Sequence, residues 1–340
     1  EISAKIISKG GELRHDFGEV TTEDGVYKNS IIIPSMDWYA GNILSVTGEY
    51  YGVEKTIEKE FEVFKNQGGT SSNYGAGAGG CAHVSPFSVA TQEVQPTGIA
   101  FSKSATKMFV VGAAGDDVNE YTLTGAYCIG TASFVDSFSV NSQDRTPTGL
   151  AFSKSGEKMF VVGFFGDTVN EYTLTAAWDI STASFVDSFS ITSQDELATA
   201  LTFSKSGEKM FVVGNDGDDI NEYTLSIAWD VSTASFVDSF SVDSQDDMPR
   251  GIAFSKSGMK MFFVGSENDK VYEYTLSVAW DVSTASFVDS FSVATQEEKV
   301  RDIWFDSSGK TMFLIGVDGI DVNVYKLTAA WDISTASFVS

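Results

Sequence analysis

Histidine and cysteine are scarce in this chain, which has two of each among 340 residues. Both side chains commonly act as nucleophile, general base or zinc ligand, so few familiar hydrolase or metalloenzyme sites can be built from them. The sequence also contains no HExxH, CxxC or GxSxG motif. From these shortages we expect a non-enzymatic protein that needs no cofactor.

Basic residues and long apolar runs are also in short supply. Lys and Arg total 22 against 47 Asp and Glu, a net charge of -25, which repels nucleic acids and anionic membranes. No stretch reaches the roughly 18 consecutive apolar residues of a transmembrane segment. The chain begins with Glu1 rather than Met, which we interpret as removal of a leader, so we expect a secreted protein.

The chain is rich in internal repetition, with a period of 51 residues, the spacing from Phe101 to Phe152. Three series of large side chains keep this interval through five copies: Phe101, Phe152, Phe203, Phe254 and Phe305; Met108, Met159, Met210, Met261 and Met312; and Tyr121, Tyr172, Tyr223, Tyr274 and Tyr325. Each copy therefore repeats one structural unit.

The second copy contains four segments typical of strands, TGLAFS, EKMFVVG, TVNEYTL and SFVDSFSI, separated by Gly-, Ser- and Asp-rich turns. We label them A to D from the innermost to the outermost strand. Four such strands predict one antiparallel blade, and blades must stack to bury their faces, either as a closed propeller or as a solenoid.

The ends of the repeats favour the propeller. The last copy stops at Ser340 within its D strand, and the first begins at Ser85, one period before Asp136. Residues 336–340 and 85–89 would together complete one outer strand, which leaves no unpaired edge blade. We therefore predict an all-β fold with a five-bladed β-propeller of four-stranded blades over residues 85–340.

The KMFVVG and VNEYTL segments resemble the YVTN-like class of propeller repeats, found in microbial surface proteins and in phage fibres. The resemblance covers residues 85–340 and implies the propeller fold. It implies little about function, because such propellers serve as scaffolds for many tasks. Five blades are a departure from better-known relatives, which often have seven.

Residues 1–67 match no repeat, but Ile2 to Ile6 alternates as a strand does. We expect a small β-sandwich that serves as a docking or assembly domain, followed by a Gly-rich flexible linker over residues 68–84. The first strand could be donated to a neighbouring copy and drive self-association. The alternative is that it is an ordinary strand of its own sandwich.

Cys128 stands where the other copies have Asp179, Asp230, Asp281 and Asp332. This change occurs only in the copy nearest to Cys81, so we predict a Cys81–Cys128 disulfide in an oxidising compartment. Two free thiols are the alternative.

One acidic residue recurs in the turn before each A strand: Glu93, Asp144, Asp195, Asp246 and Glu297. These carboxylates are expected to ring one mouth of the central channel, where they could hold a cation such as Ca²⁺. The alternative is that each acid accepts hydrogen bonds from its own turn.

The D–A loops and B–C turns vary between copies, whereas the A–B and C–D connections hardly change. A duplicated scaffold with one diversified face is typical of a binding surface, although drift on an unconstrained face would give the same pattern. The candidate binding residues on this face are Arg145, Phe164, Phe165, Arg250, Lys299 and Arg301.

Together these patterns predict an extracellular structural protein, the subunit of a surface filament or appendage that assembles through its N-terminal domain. The alternative is an adhesin, phage fibre or virion decoration protein whose variable face binds a glycan or receptor.

Overall fold

The computed structural model of the chain describes residues 86–339 and, in the N-terminal region, the backbone of four strands: β1 (Ile2–Ile7), β2 (Leu13–Glu19), β3 (Ile43–Tyr50) and β4 (Val53–Glu60). These four form one antiparallel sheet in the order β2-β1-β3-β4. The chain divides into two compact units, Glu1–Gly75 and Ala76–Ser340. The sandwich, the strand donation and the self-association stay predictions, and the predicted linker at 68–84 lies outside the described residues.

Five further antiparallel sheets correspond to the five sequence copies. Blade 1 is β6 (Pro96–Phe101), β7 (Lys107–Gly112), β8 (Asp117–Thr122) and β9 (Ser133–Ser139). Blade 2 is β10 (Pro147–Phe152), β11 (Lys158–Gly163), β12 (Thr168–Leu174) and β13 (Ala183–Ser190). Blade 3 is β14 (Ala198–Phe203), β15 (Lys209–Gly214), β16 (Asp219–Leu225) and β17 (Ala234–Ser241).

Blade 4 is β18 (Pro249–Phe254), β19 (Lys260–Gly265), β20 (Lys270–Leu276) and β21 (Ala285–Ser292). Blade 5 is β22 (Val300–Phe305), β23 (Thr311–Gly316), β24 (Asp321–Leu327) and β25 (Ala336–Phe338), completed by β5 (Phe87–Ser88). A short 3-10 helix precedes each D strand: Ile129–Thr131, Ile180–Thr182, Val231–Thr233, Val282–Thr284 and Ile333–Thr335.

The blades close into a ring. Each A strand contacts the A strands of both neighbouring blades, and β22 of the last blade contacts β6 of the first. Strands β25 and β5 both pair with β24, through Tyr325 opposite Phe338 and Val322 opposite Phe87. The predicted five-bladed propeller, closed by the two terminal half-strands, is therefore confirmed.

The hydrophobic core lies between the blades. Because side chains alternate along a strand, Met159 and Val161 of β11 pack toward blade 1, whereas Phe160 and Val162 pack toward blade 3. The Phe160 ring lies 4.5 Å from the Phe203 ring of the next blade. These four side chains are fully buried, and the burial of each stabilises the fold by about 1.5–3 kcal/mol.

A partly buried ion pair also links successive blades. The Lys158 Nζ lies 2.6 Å from the Glu171 Oε1 and donates to the Trp229 carbonyl of blade 3 at 2.7 Å, while the Glu171 Oε2 accepts from the Val231 N–H at 3.0 Å. Blades 1, 3 and 4 repeat this pair as Lys107–Glu120, Lys209–Glu222 and Lys260–Glu273.

The junction of blade 5 with blade 1 is built differently. Thr311 and Val324 occupy the positions of the Lys and the Glu. The Lys326 Nζ donates to the Thr311 Oγ1 at 2.8 Å, and the Ile129 N–H bonds to the Tyr127 carbonyl at 2.9 Å. The closing junction therefore replaces the ion pair with local hydrogen bonds.

Candidate functional site

The variable face, which we call the upper face, comprises the D–A loops and the B–C turns. The five recurrent acids tie these two sets of loops together. Asp195 is 2% exposed, and its carboxylate accepts from the Leu197 N–H at 2.6 Å in its own D–A loop and from the Gly217 N–H at 3.0 Å in the B–C turn. Glu93, Asp144, Asp246 and Glu297 are buried and bonded in the same way.

These acids are therefore enclosed within the loops of their own blades. Among residues 86–339, no group of three or more His, Cys, Asp or Glu side chains is placed to hold a metal ion. Cation binding by the five acids stays a prediction. The hydrogen bonds that these carboxylates accept from backbone N–H groups account for their recurrence without a bound cation.

Blades 4 and 5 differ from the other three blades in the second residue of the A strand. Blades 1 to 3 carry Thr97, Thr148 and Thr199 there. The Thr148 Oγ1 donates to the Ala198 carbonyl of the next blade at 2.9 Å, and the other two threonines make the equivalent bond. Blades 4 and 5 carry Arg250 and Arg301 instead, so two cations replace neutral hydroxyls in one sector of the channel mouth.

Neither guanidinium is neutralised. The described ion pairs of the propeller include neither arginine. The Arg250 Nε donates to the Ser266 Oγ at 3.0 Å, whereas the Arg301 Nε is buried and has no hydrogen-bond partner among the described residues.

Burial acts on both guanidinium groups, and the charge of Arg301 also acts on Arg250. Desolvation, together with repulsion by Arg301, lowers the pKa of Arg250 to about 10, against the opposing attraction of Asp246. Burial likewise lowers the pKa of Arg301 against the attraction of Glu297 and Asp318. Both remain charged at neutral pH, so the mouth holds two cations at an unfavourable position.

The third residue of the A strand places a carboxyl group in the channel. It is Gly98, Gly149, Ala200 and Gly251 in blades 1 to 4, but Asp302 in blade 5. Asp302 is 7% exposed. Its Oδ2 accepts from the Ile99 N–H of blade 1 and its Oδ1 from the Ile303 N–H, both at 2.8 Å.

Burial raises the pKa of Asp302 to about 7, although the hydrogen bonds that its carboxylate accepts from the two backbone N–H groups favour the charged form. The free edge of each A strand faces the channel, so a carboxyl that binds the Ile99 N–H lies inside it. The channel interior therefore contains a carboxyl group that is partly charged near neutral pH.

Trp304 occupies the lower end of the channel, where the other blades carry Ala100, Ala151, Thr202 and Ala253. Its indole packs against the core between blades 5 and 1 and also against the core between blades 1 and 2. Its ring lies 6.0 Å from that of Phe101 at the lower end of β6.

The six predicted binding residues fall into two groups on the upper face. Arg250, Lys299 and Arg301 belong to blades 4 and 5, and the Lys299 Nζ pairs with the Asp318 Oδ1 at 3.0 Å. The other three, Arg145, Phe164 and Phe165, belong to blade 2. The two Phe rings lie 5.7 Å apart edge to face, and Phe165 is 73% exposed.

Asp302 and Trp304 were missed in the sequence analysis. Both stand out when the five A strands are compared position by position, since a carboxyl replaces glycine or alanine and an indole replaces a methyl or hydroxyl. Both positions lie within β22, outside the variable loops and turns on which the sequence differences between copies are most evident.

Cys128 is not a free thiol. Its predicted partner, Cys81, lies outside the described residues, so the Cys81–Cys128 disulfide stays a prediction. No helix among the described residues is long and apolar enough to span a membrane. The predicted secretion stays a prediction.

No protein-family model matches the chain, and no curated protein matches it. Among solved structures, a putative 6-phosphogluconolactonase from Bacteroides uniformis matches with a TM-score of 0.48 and 12% identity, covering 100% of this chain and 97% of that one. The periplasmic gluconolactonase PpgL of Pseudomonas aeruginosa matches with a TM-score of 0.44 and 10% identity, covering 100% and 94%.

The Cps50 (Swd1) β-propeller domain of Myceliophteria thermophila matches with a TM-score of 0.44 and 14% identity, covering 68% of this chain and 83% of that one. At such identities the likeness shows the fold alone. It does not confirm the YVTN-like repeat class or a surface-protein family.

The matches correct the functional expectation. Two of the matching structures are named as lactonases, one of them as putative, so the absence of familiar catalytic motifs does not by itself argue against an enzyme. The prediction of a non-enzymatic filament subunit, and its alternative of an adhesin or virion protein, were wrong: they treated the propeller as a scaffold and overlooked the charged groups in its channel.

Proposed function

We propose that the propeller binds a small anionic ligand at the upper mouth of its channel, between blades 4 and 5, through Arg250 and Arg301. One observation carries the proposal: two half-buried arginines hold the same position on the adjacent A strands β18 and β22, which contact each other, and neither forms an ion pair among the described residues. An anion between them would relieve both the repulsion and the loss of hydration.

Arginine is well suited to this task. Its planar guanidinium presents several N–H donors in a fork that matches the oxygens of a carboxylate or phosphate, and such charge-assisted bonds are about twice as strong as neutral ones. Ser266 holds the Nε of Arg250, which limits the rotamers of that side chain. The site is therefore partly pre-organised for its ligand.

The acidic surface does not prevent anion binding. The chain carries a net charge of -25, but exposed charges are screened beyond about 8 Å at physiological ionic strength. The two guanidinium groups act at contact distance and in a partly desolvated mouth, where screening is weak. The local pair therefore decides the sign of the interaction.

The other predicted contact residues are assigned by position. Lys299 lies at the exposed rim of the same sector, where its ammonium already pairs with Asp318. Arg145, Phe164 and Phe165 lie in blade 2, so we assign them to contacts with a ligand large enough to extend across the mouth.

Isothermal titration with inorganic phosphate and with acetate tests this proposal. We expect at least one of the two anions to bind the wild-type chain, and Arg250→Gln and Arg301→Gln each to weaken that binding at least about 10-fold, the effect of losing roughly 1.4 kcal/mol. Lys256→Gln, which removes one positive charge from the exposed A–B turn of blade 4 on the opposite face, is the matched control and should bind as the wild type does. Binding of neither anion, or equal binding by the Arg250 and Arg301 variants, would overturn the proposal.

A further inference from the structure

The arginine pair also indicates which kind of anion the mouth takes, an inference that rests on the proposed function. Arg250 and Arg301 hold the same position on the contacting A strands β18 and β22, and the charge of Arg301 helps to lower the pKa of Arg250. A ligand with one negative charge would leave one positive charge unbalanced in a partly buried place. A ligand with two charges on one group would balance both.

The carboxylates nearest to the pair are already engaged. Asp246, which acts on Arg250, accepts from the Met248 and Asn268 N–H groups at 3.1 Å and from the Tyr272 hydroxyl at 3.1 Å. These bonds hold the carboxylate in the loops of blade 4.

The two acids that act on Arg301 are held in the same way. Glu297 accepts from the Lys299 N–H at 2.9 Å and from the Asp318 and Gly319 N–H groups at 3.0 Å. The Asp318 carboxylate pairs with the Lys299 ammonium at 3.0 Å. The carboxylates therefore moderate the positive potential of the mouth but take up none of the arginine N–H donors.

The free donors favour a tetrahedral group. With the Arg250 Nε bonded to Ser266, its terminal nitrogens remain for a ligand, and the Arg301 Nε has no described partner. A carboxylate has two oxygens in one plane and matches one guanidinium fork, whereas a phosphate monoester has three terminal oxygens directed apart. It can accept from two guanidinium groups at once.

We propose that Arg250 and Arg301 together recognise a doubly charged tetrahedral oxyanion, the terminal phosphate of a phosphate monoester or free phosphate itself. Blades 1 to 3, which carry threonine at this position, have no equivalent charge pair, so the five-fold repeat contains one such site.

Titration calorimetry with four probes tests the charge requirement: glycerol 2-phosphate, inorganic phosphate, sulfate and glycerate. The second ionisation of a phosphate monoester occurs near pH 6, so its dianionic fraction rises about 10-fold from pH 5 to pH 7.5. We expect the affinity for glycerol 2-phosphate to rise by about the same factor and to exceed that for glycerate at least about 10-fold at pH 7.5. Sulfate, a dianion at both pH values, should show no such rise.

Three variants make the result specific. Arg301→Gln should abolish the preference for the dianion, and Lys256→Gln, which removes a positive charge from the opposite face, should retain it. Asp302 also titrates between pH 5 and pH 7.5. If the pH dependence arises from ionisation of the ligand, Asp302→Asn must show the same rise in affinity for glycerol 2-phosphate. Inorganic phosphate equal to the monoester would identify the free anion as the ligand class, and weaker phosphate would show that the organic part contributes; both support the charge requirement.

The two proposals fail differently. If glycerate binds as tightly as glycerol 2-phosphate with no pH-dependent difference, and if Arg250→Gln and Arg301→Gln still weaken both, the dianion inference is overturned and the anion site stands. If no probe binds, or if the arginine variants change nothing, the site itself is refuted.

Discussion

Replacing Glu171 with valine tests how much the ion pair between blades contributes to the stability of the propeller. Valine is the residue that blade 5 carries at this position, as Val324, so the strand accommodates it. The substitution removes the acceptor of two bonds, one from the Lys158 ammonium at 2.6 Å and one from the Val231 N–H at 3.0 Å.

The loss can be estimated from these contacts. Removing one partner of a fully buried pair costs about 3–5 kcal/mol, but the Lys158 side chain is 31% exposed and can regain part of its hydration. The Val231 N–H would lose its partner at a cost of about 1–3 kcal/mol. We expect Glu171→Val to lower the free energy of unfolding by about 2–4 kcal/mol.

The double variant Lys158→Thr, Glu171→Val places the blade 5 residues at both positions of the pair, although blade 2 carries Thr173 where blade 5 has Lys326. It leaves no unpaired ammonium, and the Val231 N–H can bond to the Trp229 carbonyl as the Ile129 N–H bonds to Tyr127. We therefore expect the double variant to be more stable than Glu171→Val, with a coupling energy of at least about 1 kcal/mol.

Urea unfolding followed by tryptophan fluorescence measures these differences as shifts of the midpoint, about 1 M for 3 kcal/mol at a slope near 3 kcal/mol/M. Glu157→Met is the matched control, because Glu157 is exposed and blade 4 carries Met259 there. A loss below about 0.5 kcal/mol for Glu171→Val, or a double variant less stable than the single one, would refute the assigned role of the ion pair.

Two further substitutions test other features. Gly156 has a φ of 78° beneath the Trp178 indole, where an added Cβ would meet the ring, so Gly156→Ala should lower the melting temperature by several degrees. Adding Trp178→Tyr should restore part of the loss, because blade 1 pairs Ala105 with Tyr127. A double variant that melts no higher than Gly156→Ala would contradict this packing argument. The raised pKa of Asp302, about 7, means that its contribution to stability is fully present below the unfolded pKa near 4 and is lost as the pH rises through 7. Asp302→Asn should therefore flatten the fall in unfolding free energy between pH 4 and pH 7, and an unchanged pH profile would show that Asp302 is not the titrating group.

Much of the fold could be predicted because the same pattern of four strand segments occurs in five copies. The spacing of Phe101, Met108 and Tyr121 fixes the strand order within a blade, and the positions of Ser85 and Ser340 predict the closing pair of half-strands. The ion pair of Lys158 and Glu171 was not predicted, because it depends on which groups two neighbouring blades bring together.

The candidate site was predicted only in part. Arg250 and Arg301 stood out as changes in variable loops, but sequence alone did not indicate that their guanidinium groups are buried and repel each other. The recurrent acids were expected in the channel mouth, whereas their bonds to amides such as that of Gly217 place them within the loops. A recurrent carboxylate has the same sequence pattern whether it binds an amide or a cation, so only the geometry separates the two.

The most direct test of the anion site is a crystal structure of the protein soaked with selenate, a tetrahedral dianion whose anomalous scattering identifies it. The account predicts an anomalous peak at the upper mouth, with oxygens about 2.7–2.9 Å from nitrogens of both Arg250 and Arg301. A fully occupied peak elsewhere with none between the two guanidinium groups would contradict it.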